Sequence, residues 1–399
     1  MTRKPLLSIS MLLFIAILLA AGLVFFGRNR TIQLIGTDSN DPSAQADQEK
    51  ENGNLAEKNE VIPFSVSGWI PYWAKDAGAA SLDSGLQLFS EINPFAFGVD
   101  GSGRLIDKAG IGKSPWPELF KKARQENVRV VPTILWGDAE AMHKIFSDQA
   151  LLEKHVETIN AMLQKYDFPG ADIDYEGKDI ADKDGFSSFL QKLHEKLQTE
   201  NKTLNCTVEA RTQDAVPDGF TGIRAMSFAN DPKALNDYCD TVRIMAYDQV
   251  FQVYRSNKFD IPGGTPEAPN ADNRWVEEVA GYFLKYIPAE KLSLGIPTYG
   301  WEFQVTKTDN GHHYERVRSV TYPQAIQEAK AASATPVRTE GGELSFTYRT
   351  ADGEHVVTFE DADSISGKID IAKKIGLGGI SIFKIDGETD PEMFKILGK

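Results

Sequence analysis

Short apolar runs alternate with longer amphipathic stretches along the chain from residue 61 to its end. Runs of five to seven residues that are rich in Val, Ile, Leu and Phe are typical of strands buried on both faces, as in parallel sheets covered by helices. The pattern predicts eight strands, at Phe64–Trp69, Ile92–Gly98, Arg129–Leu135, Gly170–Tyr175, Leu204–Ala210, Thr241–Ala246, Leu292–Ile296 and Gly379–Phe383.

Most of the stretches between these strands repeat apolar residues at helical spacing. Strands that alternate with helices pair in parallel, and eight repeats in about 340 residues predict a single α/β domain, a (β/α)8 TIM barrel over residues 61–399. An open doubly wound sheet is the alternative, although no Gly-rich phosphate-binding motif follows an early strand. The predicted helices are Pro117–Glu126, Gln149–Lys165, Lys183–Glu200, Asn273–Tyr286 and Ser364–Ile375.

One connection is too long for a simple barrel, because about eighty residues separate the seventh and eighth strands. Within it, Tyr322–Ala332 has a helical pattern, and Leu344–Arg349 and Glu354–Phe359 flank the turn sequence Thr-Ala-Asp-Gly. We therefore predict a small α+β insertion at about 302–362. On the carboxyl-terminal face of the barrel such an insertion deepens a groove.

The amino-terminal region differs from the rest of the chain. Residues 5–27 are uncharged and span about 34 Å as a helix, which is enough to cross a bilayer core of about 30 Å. We predict a transmembrane anchor at residues 1–30, with a cleaved signal sequence ending near Ala20–Gly22 as the alternative. Residues 31–60 are polar and acidic without aromatic residues, and predict a flexible linker.

Charge and cysteine content narrow the function classes. The formal net charge of −14 argues against nucleic acid as a partner, whereas an uncharged sugar polymer is indifferent to it. Cys206 and Cys239 are the two cysteines, and we favour two separate buried thiols, with a disulfide in an exported domain as the alternative. No spacing typical of zinc ligands occurs, so we predict no metal and no cofactor.

The most informative segment is the fourth predicted strand, which ends in Asp172-Ile173-Asp174-Tyr175-Glu176. Side chains alternate faces along a strand, so the three acids share one face and Ile173 and Tyr175 share the other. The apolar side suits the helices, and the acids therefore point into the barrel. Desolvation and mutual repulsion raise the pKa of such carboxyls, and Glu176 lies at the carboxyl end of the strand, where barrel active sites form. We predict that Glu176 is a proton donor.

Two other interpretations of the acidic strand are a solvated edge and a Mg²⁺ or Ca²⁺ site. Strict alternation of three acids disfavours the first of these. The segment resembles the DxxDxDxE signature of glycoside hydrolase family 18, the chitinase-like barrels, except that Pro169 stands at the first aspartate. Further resemblances lie at Gly68–Trp73, Arg243–Asp248, Leu294–Gly300, Phe359–Asp361 and Gly378–Phe383, the last two being similar to bacterial members that act on cell wall or spore cortex.

The resemblance implies a retaining mechanism in which the 2-acetamido group of the substrate is the nucleophile. Glu176 would protonate the leaving oxygen and then activate water. Asp174 would orient the acetamide, and Asp172 would share a proton or a hydrogen bond with Asp174. Tyr247 would donate a hydrogen bond to the acetamide oxygen, and Asp248 would bind a sugar hydroxyl.

The aromatic residues near the predicted strand ends suit a sugar, whose C–H faces pack on rings. The function expected is cleavage of β-1,4 bonds in an N-acetylglucosamine-containing glycan, peptidoglycan or chitin-like, outside the cytoplasm. A lectin-like barrel without turnover and a metal-dependent hydrolase are the alternatives. The expected substrate-binding residues are Asp248, Met245, Trp69, Tyr72, Trp73, Trp136, Glu209, Arg211, Tyr299, Trp301 and Phe383, of which Phe383 stands where the family usually has Trp.

Overall fold

The structure, a computed structural model, describes residues 63–263 and 266–398. The predicted anchor at 1–30 and the predicted linker at 31–60 lie outside the described residues. Within the described ranges, no helix combines the length and the apolar character needed to cross a bilayer.

Eight parallel strands close into a barrel, which confirms the predicted barrel architecture. The order around the barrel is β1, β2, β5, β6, β7, β8, β10 and β16, and β16 pairs with β1 to close it. In chain order the strands are β1 (Ser65–Pro71), β2 (Glu91–Val99), β3 (Leu105–Asp107), β4 (Arg129–Val130), β5 (Thr133–Trp136), β6 (Gly170–Tyr175), β7 (Thr203–Glu209), β8 (Thr241–Met245), β9 (Lys258–Pro262), β10 (Leu292–Pro297), β11 (Tyr299–Lys307), β12 (Gly311–Thr321), β13 (Val337–Arg338), β14 (Leu344–Thr350), β15 (Gly353–Phe359) and β16 (Gly379–Phe383).

Helices cover the outside of the barrel and bury its outward-facing apolar residues in one large core. Each predicted helix is present, with ends that differ by a few residues. The helices are α1 (Lys75–Ser81), α2 (Trp116–Gln125), α3 (Ala139–Phe146), α4 (Gln149–Tyr166), α5 (Lys183–Gln198), α6 (Pro232–Tyr238), α7 (Gln249–Tyr254), α8 (Asn273–Phe283), α9 (Tyr322–Ala331), α10 (Ala362–Lys374) and α11 (Met393–Leu397).

The third predicted strand, Arg129–Leu135, is broken into β4 and β5. Pro132 lies at the break, and proline has no N–H to donate to a ladder of hydrogen bonds. Both pieces still pair with β2 in parallel, so the break bends the strand without changing the order of the barrel.

A second sheet of six antiparallel strands has the order β13-β14-β15-β11-β12-β9. The predicted hairpin is present as β14 and β15, but the insertion is larger than the predicted range of 302–362. β11 begins at Tyr299, two residues after β10 ends, and β9 belongs to the connection between β8 and β10. The sheet therefore grows from the carboxyl end of the seventh barrel strand.

The prediction of two separate thiols is wrong, because Cys206 and Cys239 form a disulfide. Cys206 lies on β7, and Cys239 directly follows α6, with their Cα atoms 5.9 Å apart. Both residues are buried, so the bond fastens the end of α6 to the barrel wall.

We expect the double variant Cys206→Ala/Cys239→Ala to lose about 2–4 kcal/mol of unfolding free energy, because the bond closes a loop and restricts the unfolded chain. Urea unfolding of both proteins with and without reductant measures this loss. Reductant should destabilise the wild type and leave the variant unchanged. Equal unfolding curves for reduced and oxidised wild type would show that the thiols are unpaired.

Candidate active site

The orientation of β6 decides which groups enter the barrel. Tyr175 points outward and stacks on Phe189 of α5 at 5.3 Å, and its hydroxyl contacts Nε2 of His155 at 2.7 Å. Burial lowers the pKa of His155 to about 4, so the ring is neutral. Its Nδ1 must donate to the Gly103 carbonyl oxygen at 2.7 Å, and Nε2 therefore accepts from Tyr175. This contact fixes the outward face, and the three acids point inward.

Asp172 is fully buried at the centre of the barrel, where four neighbouring side chains contact it. Its Oδ2 accepts hydrogen bonds from Trp69 Nε1 at 2.9 Å and Thr133 Oγ1 at 2.7 Å, and its Oδ1 accepts one from Thr207 Oγ1 at 2.8 Å. Arg243 Nη1 forms an ion pair with it at 3.2 Å.

The expected hydrogen bond or shared proton between Asp172 and Asp174 is therefore absent from the described part of the chain. Asp172 is instead held by Trp69, Thr133, Thr207 and Arg243, and it acts on Asp174 through its charge.

Asp174 has no such partners. It is buried and its Oδ1 has no hydrogen bond within the described residues. Burial raises its pKa well above the ordinary value, and the charges of Glu176, Asp172 and Glu209 raise it further. Burial and the neighbouring negative charges therefore shift the equilibrium of this carboxyl group toward its protonated form.

Glu176 follows the last residue of β6 and lines a cavity of about 460 Å³ at the carboxyl end of the barrel. Its backbone N–H donates to the Trp136 carbonyl oxygen at 2.8 Å, which extends the pairing of β6 with β5 by one residue. Burial, followed by the charge of Glu209, raises the pKa of Glu176 to about 7, and Lys178 opposes this shift. A carboxyl group with this pKa can donate a proton near neutrality and accept one back.

Glu209 acts on Glu176 through its negative charge, and its carboxylate is bound by other groups of the protein. It accepts hydrogen bonds from the Gly177 N–H at 3.2 Å and from Asn230 Nδ2 at 2.6 Å, and Lys178 Nζ lies 3.7 Å away. Burial opposes its ionisation, but Lys178 and these hydrogen bonds hold its pKa below the ordinary value. These contacts of Glu209 are with the protein itself, and its predicted contact with substrate stays a prediction.

Tyr247 lies at the end of β8, close enough to the acids for their charges to affect it. Its ring stacks on Phe383 at 5.6 Å, and burial together with the charge of Asp174 raises its pKa well above the ordinary value. Within the described residues its hydroxyl makes no hydrogen bond, so it can donate to a bound group. Met245 points into the barrel on the same strand and is buried opposite Glu209.

Asp248 follows in the left-handed conformation, with φ of 58°, and directly precedes α7. Its Oδ1 accepts hydrogen bonds from the Tyr299 hydroxyl at 2.7 Å and from Trp301 Nε1 at 2.8 Å. Burial outweighs these bonds and raises the pKa of Asp248. Tyr299 is buried and orients Asp248, whereas Trp301 also lines the cavity.

The aromatic residues predicted to bind substrate separate into two groups. Trp73 is 54% exposed and contacts Tyr72 at 4.9 Å, and Phe383 is partly exposed, so these three are accessible at the mouth. Trp69 is 1% exposed and instead donates a hydrogen bond to Asp172. Trp136 packs outward, against the helices.

The prediction for Trp136 is wrong because of strand alternation. Trp136 pairs in register with Tyr175, and both residues point away from the barrel. The ring lies 5.3 Å from Tyr175, 5.2 Å from His155 and 6.3 Å from Phe146. It is part of the core beneath α3 and α4.

Arg211 does not reach the cavity that contains Glu176. It lines a neighbouring cavity of about 370 Å³, which is formed mainly by the segment after β7 and by α7 and α8. From the sequence, no roles were predicted for Lys178, Arg255 and Arg316. Arg243 was included only as the first residue of the Arg243–Asp248 motif, without a role of its own. Alternation on β8 places Arg243 on the inner face with Met245, but nothing in the sequence brings Arg316 of β12 to the mouth.

Comparison with known proteins agrees with these features, which are those of a barrel hydrolase with a carboxyl acid at its mouth. Residues 69–388 match the family described as glycosyl hydrolases family 18. The chain belongs to this family and is therefore a glycosidase by class.

The cortical fragment-lytic enzyme of Bacillus anthracis is 26% identical over 262 residues, which are 65% of this chain and 56% of that protein. Chitinase 1 of Aphanocladium album is 26% identical over 269 residues, or 65% of this chain and 62% of that protein. The chain thus spans less than two thirds of these curated relatives. The crystal structure of the spore cortex-lytic enzyme SleL of Bacillus megaterium has the same fold, with a TM-score of 0.67, 20% identity and coverage of 84% of this chain and 73% of that one.

We expect Glu209→Gln to lower the pKa of Glu176 below about 7. The substitution removes a nearby negative charge and leaves the positive charge of Lys178 unopposed. Carbon-13 NMR titration of labelled glutamate carboxyls measures the midpoint. Glu157→Gln is the matched control, since this side chain is 62% exposed and pairs with Lys196 on the helices. An unchanged midpoint in Glu209→Gln would contradict the electrostatic account of Glu176.

Proposed function

We propose that the protein hydrolyses the β-1,4 bonds of an N-acetylglucosamine-containing glycan, with Glu176 as the acid and base. The observation that supports this most is the pair of unlike carboxyls in one cavity region. Burial raises the pKa of Glu176 to about 7 beside the open cavity, and it raises the pKa of Asp174, which does not line that cavity, well above the ordinary value. Environments that separate the properties of two acids are typical of an acid–base site.

The residues suit a reaction in which the substrate supplies the nucleophile. Asp174 is buried and does not line the cavity, and its raised pKa disfavours the carboxylate form that a nucleophile needs. Asp172 is occupied by its own hydrogen bonds. The acetamido oxygen of the sugar attacks the anomeric carbon, the glycosidic bond breaks, and the leaving oxygen takes the proton of Glu176. Water then attacks the same carbon while Glu176 takes a proton from it, and the acetamido group is restored.

Tyr247 and Asp174 act on the acetamido group in this proposal. The Tyr247 hydroxyl has no partner within the described residues and donates to the acetamido oxygen, which holds it near the anomeric carbon. The negative charge of an ionised Asp174 would stabilise the positive charge that develops on the ring formed by this group. The rate falls as the pH rises through about 7, because Glu176 must begin each cycle protonated.

We expect Glu176→Gln to reduce hydrolysis of an N-acetylglucosamine oligomer by about 10²–10⁴-fold, the usual effect of losing a general acid, while binding is kept. Product analysis gives the rate, and calorimetric titration with the oligomer gives the affinity. Glu157→Gln should retain the wild-type rate. Equal turnover by Glu176→Gln and wild type would refute the role of Glu176, and binding without turnover by the wild type would favour a lectin.

We also propose that residues 5–27 anchor the protein in the membrane with the barrel on the extracytoplasmic side. The uncharged length of this segment and a substrate that lies outside the cytoplasm support the proposal. The full chain should sediment with membranes and resist carbonate extraction, and deletion of residues 1–30 should release it. A full-length protein that carbonate extracts completely would contradict the anchor.

A further inference from the structure

The cavity that contains Arg211 adjoins the cavity that contains Glu176. Gln252 and Arg255 line both of them, so one continuous surface runs from the acid site to the neighbouring cavity. The two ends of α7 mark this path, because Asp248 precedes the helix and Arg255 follows it. Six helical residues span roughly 9 Å.

The guanidinium of Arg211 is held between two aromatic rings in this second cavity. Its central carbon lies 4.8 Å from the ring centre of Phe228 and 4.6 Å from that of Tyr282. The side chain is only 9% exposed, and burial lowers its pKa. A desolvated cation of this kind needs close acceptors to offset the loss of water.

The acceptors that the protein offers to Arg211 are distant. The carbonyl oxygens of Ser227 and Asn230 lie at 3.4 and 3.5 Å, and Asp214 Oδ1 lies at 3.9 Å. Nε has no partner within the described residues. Asp214 is itself 62% exposed and accepts hydrogen bonds from two tyrosine hydroxyls. Asp231, the other nearby acid, pairs with Lys183 at 3.4 Å.

Arg255 is a second cation for which the protein provides few hydrogen-bond acceptors. Its Nη2 donates to Ser227 Oγ at 3.2 Å, and its Nε has no partner in the described part of the chain. Burial lowers its pKa, and the acid whose charge reaches it, Glu209, is already paired with Lys178. Among the lining residues that the structure describes, Arg211 and Arg255 are the ionisable ones, and both are positive.

We propose that this cavity binds a carboxylate carried by the glycan, so that the enzyme acts on an acidic N-acetylamino-sugar polymer. The inference rests on the proposed function and narrows its substrate. Guanidinium groups form short, strong hydrogen bonds with carboxylates, and the rings of Phe228 and Tyr282 keep Arg211 in place for them. Chitin carries no carboxylate, whereas peptidoglycan carries them on the lactyl group of muramic acid and on its peptides.

The test compares three substrates: a neutral N-acetylglucosamine oligomer, peptidoglycan strands stripped of peptides so that the lactyl carboxylates are free, and strands that retain their peptides. We expect Arg255→Gln and Arg211→Met each to lower kcat/KM on an acidic substrate at least about ten-fold more than on the neutral oligomer, the size of one charge-assisted hydrogen bond. The acidic substrate that shows this loss identifies which carboxylate binds.

Arg349→Gln is the control, because this arginine is 80% exposed, lies on β14 and should change neither rate. Thermal melting shows whether each variant is folded, and Arg255→Gln decides the matter if Arg211→Met unfolds. Affinities measured in a Glu176→Gln background report the preference for carboxylates without turnover.

Equal losses on acidic and neutral substrates, together with equal affinities, would overturn the carboxylate site while leaving the glycosidase intact. Hydrolysis of none of the three substrates by the wild type would instead overturn the proposed function. In that case, a preference for acidic strands in the binding measurement still supports the site, and its absence rejects it.

Discussion

Lys178 and Arg243 decide which of the buried carboxylates inside the barrel have a cation beside them. Arg243 lies against Asp172 and also pairs with Glu91, and Lys178 lies against Glu209, so these three acids have an opposite charge beside them. Asp174 and Glu176 form no ion pair within the described residues, and their pKa values rise. Like charges held in one desolvated space disfavour one another's ionisation, and the two cations determine which carboxyl groups this repulsion affects most.

The second sheet determines the position of a further acid of the site, Asp248. Glu343, fully buried on this part of the chain, accepts the backbone N–H groups of Asn270 and Ala271 at 2.9 and 3.0 Å. Asn270 Oδ1 in turn accepts the backbone N–H of Asp248 at 3.0 Å, and its Nδ2 donates to the Tyr299 carbonyl oxygen at 2.8 Å. The insertion therefore fixes the left-handed turn at Asp248 and the strand that carries its aromatic donors, besides forming a wall.

Strand alternation carried most of what could be predicted from the sequence. It placed the three acids of β6 correctly, and the same rule would have excluded Trp136, which shares the outward face with the residue two positions before it on β5. Lys178 follows a strand and has no periodic neighbours, so its return toward Glu209 depends on the turn at Gly177, where φ is 71°. The pairing of β9 with β12 joins segments about fifty residues apart and leaves no local signal.

The stability of the fold does not explain why three arginines lie near the mouth of the barrel. Arg316 lies 5.6 Å from the Trp301 ring beside the acid site, and Arg211 and Arg255 lie beyond it. Arg316 is exposed, but burying the guanidinium groups of Arg211 and Arg255 with weak acceptors costs free energy, and an apolar side chain of similar size would fill the same space at less cost. In a protein of net charge −14, positive groups gathered along one groove form a local field opposite to that of the whole molecule. Such a field favours a ligand that is negative where it leaves the acid site, because only that ligand recovers the energy that the buried cations have lost.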